Sequence, residues 1–230
     1  TALYCARRRR RSPGGSFPVR PSRIHLALLV SAAIALVGSG IRPNGRFNWL
    51  METLPAIVGG AILAATYRRF RFTTPAYVAA WVFALILMAG GHYTYAEVPV
   101  GNWARDAFDL SRNHFDRVGH FFQGVVPAML ARELLRRTSP LRSGSWLFAL
   151  PVCVALAISA AYELFEWRYA VAFGGSVAED FLGSQGDPWD AQKDMAMALL
   201  GALLSMALLG RRQDRLAEEA GRGGAGDGIL

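Results

Sequence analysis

The sequence predicts an all-α, polytopic membrane protein with six transmembrane helices and both termini in the cytoplasm. Three observations predict it. Hydrophobic residues make up 53% of the 230-residue chain and the mean hydropathy is positive, whereas apolar residues in a soluble domain reach about 45–50% even with glycine counted. The apolar residues are gathered into runs at 24–41, 51–67, 75–91, 145–165 and 189–210, each close to the ~20 residues that cross a bilayer as a helix. Two of the intervening segments, 68–71 and 132–142, are strongly basic, which marks their side. No stretch alternates apolar with polar residues, so the pattern of a β-barrel is missing.

Taken in order, residues 1–23 read as a basic, disordered cytoplasmic tail carrying "RRRRRSPGGSFPVRPSR". Arginines ahead of an apolar run imitate a signal peptide, but further spans follow. Two loops are strongly basic: "RRFR" at 68–71, and the segment with Arg132, Arg136, Arg137 and Arg142. If both are cytoplasmic, an even number of spans separates them. Residues 75–91 supply one, so 116–137 must supply the other, although its purely apolar part, 121–131, is short. As a helix that segment reaches about 33 Å, enough to cross. The spans at 145–165 and 189–210 complete one membrane domain over 24–212. Residues 213–230 read as a Gly-rich disordered tail.

Charge supports this orientation. The inner side carries 18 basic and 5 acidic residues, the outer side 7 and 12, giving +13 against −5. The basic balance therefore serves orientation and anionic headgroups, making membrane lipids the partners rather than nucleic acid. Trp49, Tyr93, Tyr95, Trp103, Tyr162, Trp167, Tyr169 and Trp189 fall near the outer interface and read as anchors without chemistry. Cys5 lies in the tail and Cys153 mid-span, where it reads as a small apolar filler.

The outer ends of three helices carry a polar constellation. Asp116 and His120 are spaced i, i+4; Glu163 and Glu166 are spaced i, i+3; Asp187, Asp190 and Asp194 open the last span. Each spacing places its pair on one helical face. Helix capping accounts for some of them. Asp187 ahead of Pro188 fits an N-cap, Asp190 complements the dipole, and Asn113 with Asp116 forms a similar pair. Asp194 and His120 lie a turn deeper than a cap needs. Glu163 and Glu166 sit at what reads as a helix carboxyl end, where the dipole disfavours anions. Ionisable groups at membrane depth are costly and face a bundle interior. Either a structural ion-pair network with Arg117, Arg168 or Lys193 holds these acids, or they hold a cation.

A divalent metal fits the second reading: carboxylates with an imidazole suit Zn, Mn, Fe or Mg. His120, Asp194, Asp190 and Asp116 are the candidate ligands. Glu163 and Glu166 are the candidate catalytic bases that would take a proton from a metal-activated water. Arg112, Arg117, Lys193 and His114 are the candidate residues for an anionic substrate headgroup. No H-E-x-x-H zinc signature, serine elbow, P-loop or dinucleotide fingerprint is present.

The segments "GGHYTYAEVP" (90–99), "RNHFDRVGHFFQG" (112–124), "YELFEW" (162–167) and "GDPWDAQKDMAMALLGA" (186–202) resemble the YjdF-type bacterial inner-membrane proteins, a family of unknown function. The resemblance covers roughly 24–212 and implies the inner membrane of a bacterial cell. D-R-x-x-H-F, a paired-acid helix and a D-x-x-x-D helix are more loosely similar to the VanZ-like family, one member of which is linked to glycopeptide resistance. Neither resemblance implies a reaction. The leading expectation is a metal-assisted hydrolase or transferase acting on a lipid or envelope precursor. Its rivals are a proton- or cation-coupled transporter, for which inner-half polar residues are sparse, and a non-catalytic lipid-binding or scaffold protein.

Overall fold

The computed structural model describes residues 22–142, 144–175 and 181–226. Most of the tail assigned to 1–23, with Cys5, lies outside them, as do Glu179, Asp180 and the last four residues. Among the described residues the chain is helical: α1 (Arg23–Ser39), α2 (Arg46–Thr66), α3 (Thr74–Tyr93), α4 (Pro99–Ala107), α5 (Phe115–Thr138), α6 (Ser145–Phe173) and α7 (Asp190–Gly226), with one 3₁₀ turn at Tyr95–Glu97. Four helices are long and apolar enough to cross a membrane: α2, α3, α6 and α7. The apolar α1 is shorter, at 17 residues. α5 has 24 residues but carries charged groups toward both ends.

The packing explains how α5 tolerates that composition. α5, α6 and α7 form a three-helix bundle; α3 lies against α5, and α1 and α2 lie against α3. α5 is thus surrounded by protein and buries Asp116, Arg117, His120, Gln123, Arg132 and Glu133. A helix enclosed by other helices needs polar partners rather than a lipid-compatible surface. Its closest neighbour is α7. A Cβ at Gly124 would run into the carbonyl of Ala198, and one at Gly201 into the carbonyl of Phe121. Small residues at a crossing let two backbones approach and pack without a gap. Below this crossing lies an apolar layer that includes Val125, Ala128, Met129, Val152, Ala155, Ala202 and Met206.

Three sequence expectations need correction. α6 runs to Phe173 rather than ending near 165, so Glu163 and Glu166 lie two to three turns inside it, away from the carboxyl-end dipole. α7 continues as helix through Gly226 rather than giving way to irregular chain at 213; Gln213 and Asp214 are buried against α5, where Gln213 donates to the Met129 carbonyl at 2.7 Å. Cys153 is exposed on α6, so it fills no core space. The end of the bundle opposite Asp116 is also more polar than expected. Arg132 makes two bonds to Asp214 at 3.0 and 2.9 Å, and buried Glu133 accepts from the Thr73 N–H and hydroxyl at 3.1 and 3.0 Å.

Candidate functional site

Asn113 sets the start of α5. It is fully buried; its amide donates to the carbonyls of Ala96 and Val98 at 3.0 and 3.1 Å, and its side-chain oxygen accepts from the Phe115 N–H at 2.9 Å. That satisfies one of the orphan donors of the first helical turn. Gln185 clips the loop before α7 to the same point, accepting from the Asn113 N–H and donating to its carbonyl. Asp187 fills a turn rather than an N-cap, accepting from the Trp189 N–H at 3.0 Å. Lys193 donates to it at 2.6 Å, and this bond above all holds the Asp187 carboxyl below the usual range.

These connections bring one turn of α5 against α6 and α7. The His120 ring is buried with carboxylates on three sides: its Nε2 lies 3.4 Å from Asp116 and 3.8 Å from Asp194, and its Nδ1 lies 3.5 Å from Glu163. Nδ1 also meets the Gln123 side-chain oxygen at 3.0 Å. Of the four residues expected to converge, His120, Glu163 and Asp194 meet around the imidazole, and Glu166 lies on the cavity wall beside them. Ligand atoms of Asp116, His120 and Asp194 lie within 4.8 Å of one another. Asp116 Oδ2 and Glu163 Oε1 are buried without a hydrogen-bond partner. Three acids around one imidazole favour a positive charge at the centre.

The other candidate residues have partners of their own. Asp190 is not beside His120 as a fourth ligand; it accepts from Arg112 at 2.7 Å and Arg117 at 2.5 Å. Arg117 also pairs with Asp194 and lies 3.5 Å from Asp187. Arg112 donates to the Gly183 and Ser184 carbonyls at 2.9 Å each. Both guanidiniums are buried and bonded to protein groups. Lys193 is half-exposed but paired with Asp187. Partial burial, then Arg112 and Arg117, hold the exposed His114 imidazole below its usual range. Arg168 lies over Trp167.

Glu166 faces a cavity of about 340 Å³ between α2, α3, α5 and α6, whose wall also includes Asp116, His120, Glu52, Tyr95 and Tyr162. The last three were not expected there. Glu52 is 2% exposed, and Tyr162 donates to it at 3.5 Å. The two tyrosines read as interfacial anchors in the sequence, yet Tyr95 is buried and folds back so closely that a Cβ at Gly90 would collide with its ring. A lone carboxylate inside the apolar run "METLPAIVGG" was the available signal for Glu52. Pro55 in α2 and Pro127 in α5 also line the cavity. Each removes a helical N–H and so frees a carbonyl one turn earlier, at Met51 and Gln123.

A multi-helix membrane protein with a buried acidic and imidazole cluster beside an apolar-walled cavity is the class these features define. The chain belongs to the family described as predicted membrane protein (DUF2238), whose model matches residues 24–215. It is 48% identical over 182 residues to the inner membrane protein YjdF of Escherichia coli (strain K12), covering 79% of this chain and 87% of that protein. No solved structure matches. The chain is accordingly a multi-pass protein of the bacterial inner membrane.

Proposed function

We propose that this protein is a metal-assisted hydrolase or transferase acting on a lipid or lipid-borne envelope precursor. The carrying observation is the buried set Asp116, His120 and Asp194, with ligand atoms within 4.8 Å, beside a cavity of about 340 Å³. Two carboxylates and an imidazole suit Zn, Mn, Fe or Mg. A metal bound there would supply Lewis acidity and an activated water. Glu163 is placed to hold a proton next to His120, and Glu166 to do so at the cavity wall. Arg112 and Arg117 position the acids of α7 rather than the substrate. Six crossings, with 1–23 inside and this site at the outer face, complete the reading; the +13 against −5 charge division supports it. The apolar layer around Val125, Ala128 and Met206 lies between the two polar ends of the bundle. It argues against a conducting path and so against a transporter.

A structural reading has its own observation: Arg117 pairs with both Asp190 and Asp194. There the acids are an ion-pair network and the protein is a lipid-binding scaffold. Metal analysis of the purified full chain, against Asp116→Asn and His120→Gln, separates the two. The enzyme reading expects about one equivalent of a divalent metal per chain, lost in both variants. A wild-type protein that is metal-free, and stays so after incubation with Zn, Mn, Fe or Mg, would overturn it.

A further inference from the structure

The cavity shows how a substrate would reach it. On the aqueous side it is covered: Arg112 and Asn113 are stitched to Gly183, Ser184 and Gln185, and Tyr95 folds inward over α3. Among the described residues, no element packs across it on the side between α2 and α6. Those helices face each other across the cavity without packing along their lengths. Among the described residues they meet at one end, through Phe47 against Tyr169 and Phe173 with ring centres 5.9 and 5.4 Å apart, and through the Tyr162–Glu52 bond of 3.5 Å. Ile158, Ala161 and Phe165 line the cavity yet remain exposed on the flank of α6. They are spaced i, i+3, i+7, one face of a helix at membrane depth. That face would meet acyl chains.

The polar groups on this wall specify one end of the occupant. The ion pairs of Arg112, Arg117, Lys193 and His120 go to Asp116, Glu163, Asp187, Asp190 and Asp194. Among the described residues, Glu52 and Glu166 have no ion-pair partner, although each is more than nine-tenths buried. One stands on α2 and the other on α6, on either side of the seam. A buried acid stays ionised only beside a cation, and a protonated amine would supply one. An anionic headgroup would meet repulsion here. We infer that the cavity is filled from the bilayer, through the seam between α2 and α6, by an amphiphile whose protonated amine meets Glu52 and Glu166 and whose alkyl part lies along Phe83, Leu87 and Ile158. A volume of about 340 Å³ is at the lower end of the ~300–1,000 Å³ of ligand pockets, so it admits one chain segment rather than a whole lipid. The inference rests on the proposed reading only in taking this cavity as the substrate site.

The test needs no turnover. The full chain, reconstituted in phosphatidylcholine vesicles, is photolysed with a long-chain alkylamine bearing a mid-chain diazirine, or with the matched alcohol, and adducts are mapped on peptides. Amine adducts are expected on α2 and α6, exceeding alcohol adducts about tenfold, because a charge-assisted bond outweighs a neutral one. Glu52→Gln with Glu166→Gln should reduce that ratio to about one. Ala161→Trp should block labelling, and Phe165→Ala, which widens the mouth, should raise it. Equal labelling by amine and alcohol would overturn the headgroup assignment. Adducts confined to the 183–187 loop, or undiminished labelling in Ala161→Trp, would overturn the route. Metal content of the same preparations reports separately on Asp116, His120 and Asp194. Metal without cavity labelling defeats this inference alone; labelling without metal defeats the metal reading alone.

Discussion

At the scale of single residues, Asp194 and Arg117 have unequal roles despite their contact. Arg117 bridges Asp190 and Asp194, both on α7. Arg117→Met would leave buried Asp194 without its guanidinium while Asp190 keeps Arg112, and breaking a buried pair by removing one partner costs roughly 3–5 kcal/mol. Asp194→Asn leaves Arg117 its 2.5 Å bond to Asp190, so the cation keeps a partner. The expected outcome is a marked fall in thermal stability of the detergent-solubilised Arg117→Met variant and a small one for Asp194→Asn. Bound metal should be lost in Asp194→Asn all the same, because ligation requires the deprotonated carboxylate. If Asp194→Asn destabilises as much as Arg117→Met and wild type holds no metal, the cluster is a salt-bridge network. Glu163→Gln provides a second check. Its Oε1 lacks a hydrogen-bond partner and lies 3.5 Å from His120, so the amide should fold while altering metal retention or turnover.

At the scale of elements, the α5–α7 contact and the fastening of α3 decide whether the site is assembled. Gly124→Val would drive a branched side chain into the Ala198 carbonyl. Overpacking in a core costs about 1–3 kcal/mol, more where backbone must move, so this variant should lose thermal stability and metal together. Glu133 ties α3 to α5 by accepting from Thr73 and pairing with Arg137 at 2.9 Å. Glu133→Ala would strand a buried N–H and a guanidinium, at about 2–5 kcal/mol, and protease sensitivity of the 68–74 loop should rise. Much of this framework was legible in the sequence. Hydropathy marked the spans, and parity between the basic loops identified α5 as a long helix although its own composition did not. The i, i+4 pair Asp116 and His120 and the depth of Asp194 singled these residues out as candidate ligands. Other features were hidden for physical reasons. Charges at Glu163, Glu166 and Arg168 imitate the end of a span, because hydropathy cannot distinguish a residue facing protein from one facing water; α6 in fact continues to Phe173. Glu52 joins the site only through the placing of α2 across from α6. The attachment of Arg112 and Arg117 to Asp190 depends on the loop before α7 folding back, which periodicity does not encode.

At the scale of the whole molecule, charge sets which way the bundle faces. The helix ends at Tyr93, Phe115, Phe173 and Asp190 lie on the side of the Asp116 cluster, and those at Thr66, Thr74, Thr138 and Ser145 on the other. The second side carries Arg68, Arg69, Arg71, Arg136, Arg137 and Arg142, and cytoplasmic loops collect such residues. Some of that charge is internally matched, since Arg132 and Arg136 pair with Asp214 and Arg137 with Glu133. The "RRFR" loop at 68–71 keeps a dense positive charge, and the division of +13 against −5 is far from balance. Basic residues next to a span interact with anionic inner-leaflet lipids at about 1 kcal/mol each, so reversing the bundle would forfeit several kcal/mol. Fluorescent-protein fusions after Phe72 and Pro140 should therefore fluoresce, and alkaline phosphatase fusions after Gly45 and Arg105 should be active. The fusion after Pro140 is decisive. α5 is the one long helix of the bundle whose composition does not mark it as a span, and its crossing sets the parity of everything after it. Phosphatase activity at Pro140, with fluorescence retained at Phe72, would mean that α5 does not cross. Asp116 and His120 would then stay outside while Glu163, Glu166 and Asp194 fell at the inner ends of their spans, and the proposed site would not be assembled.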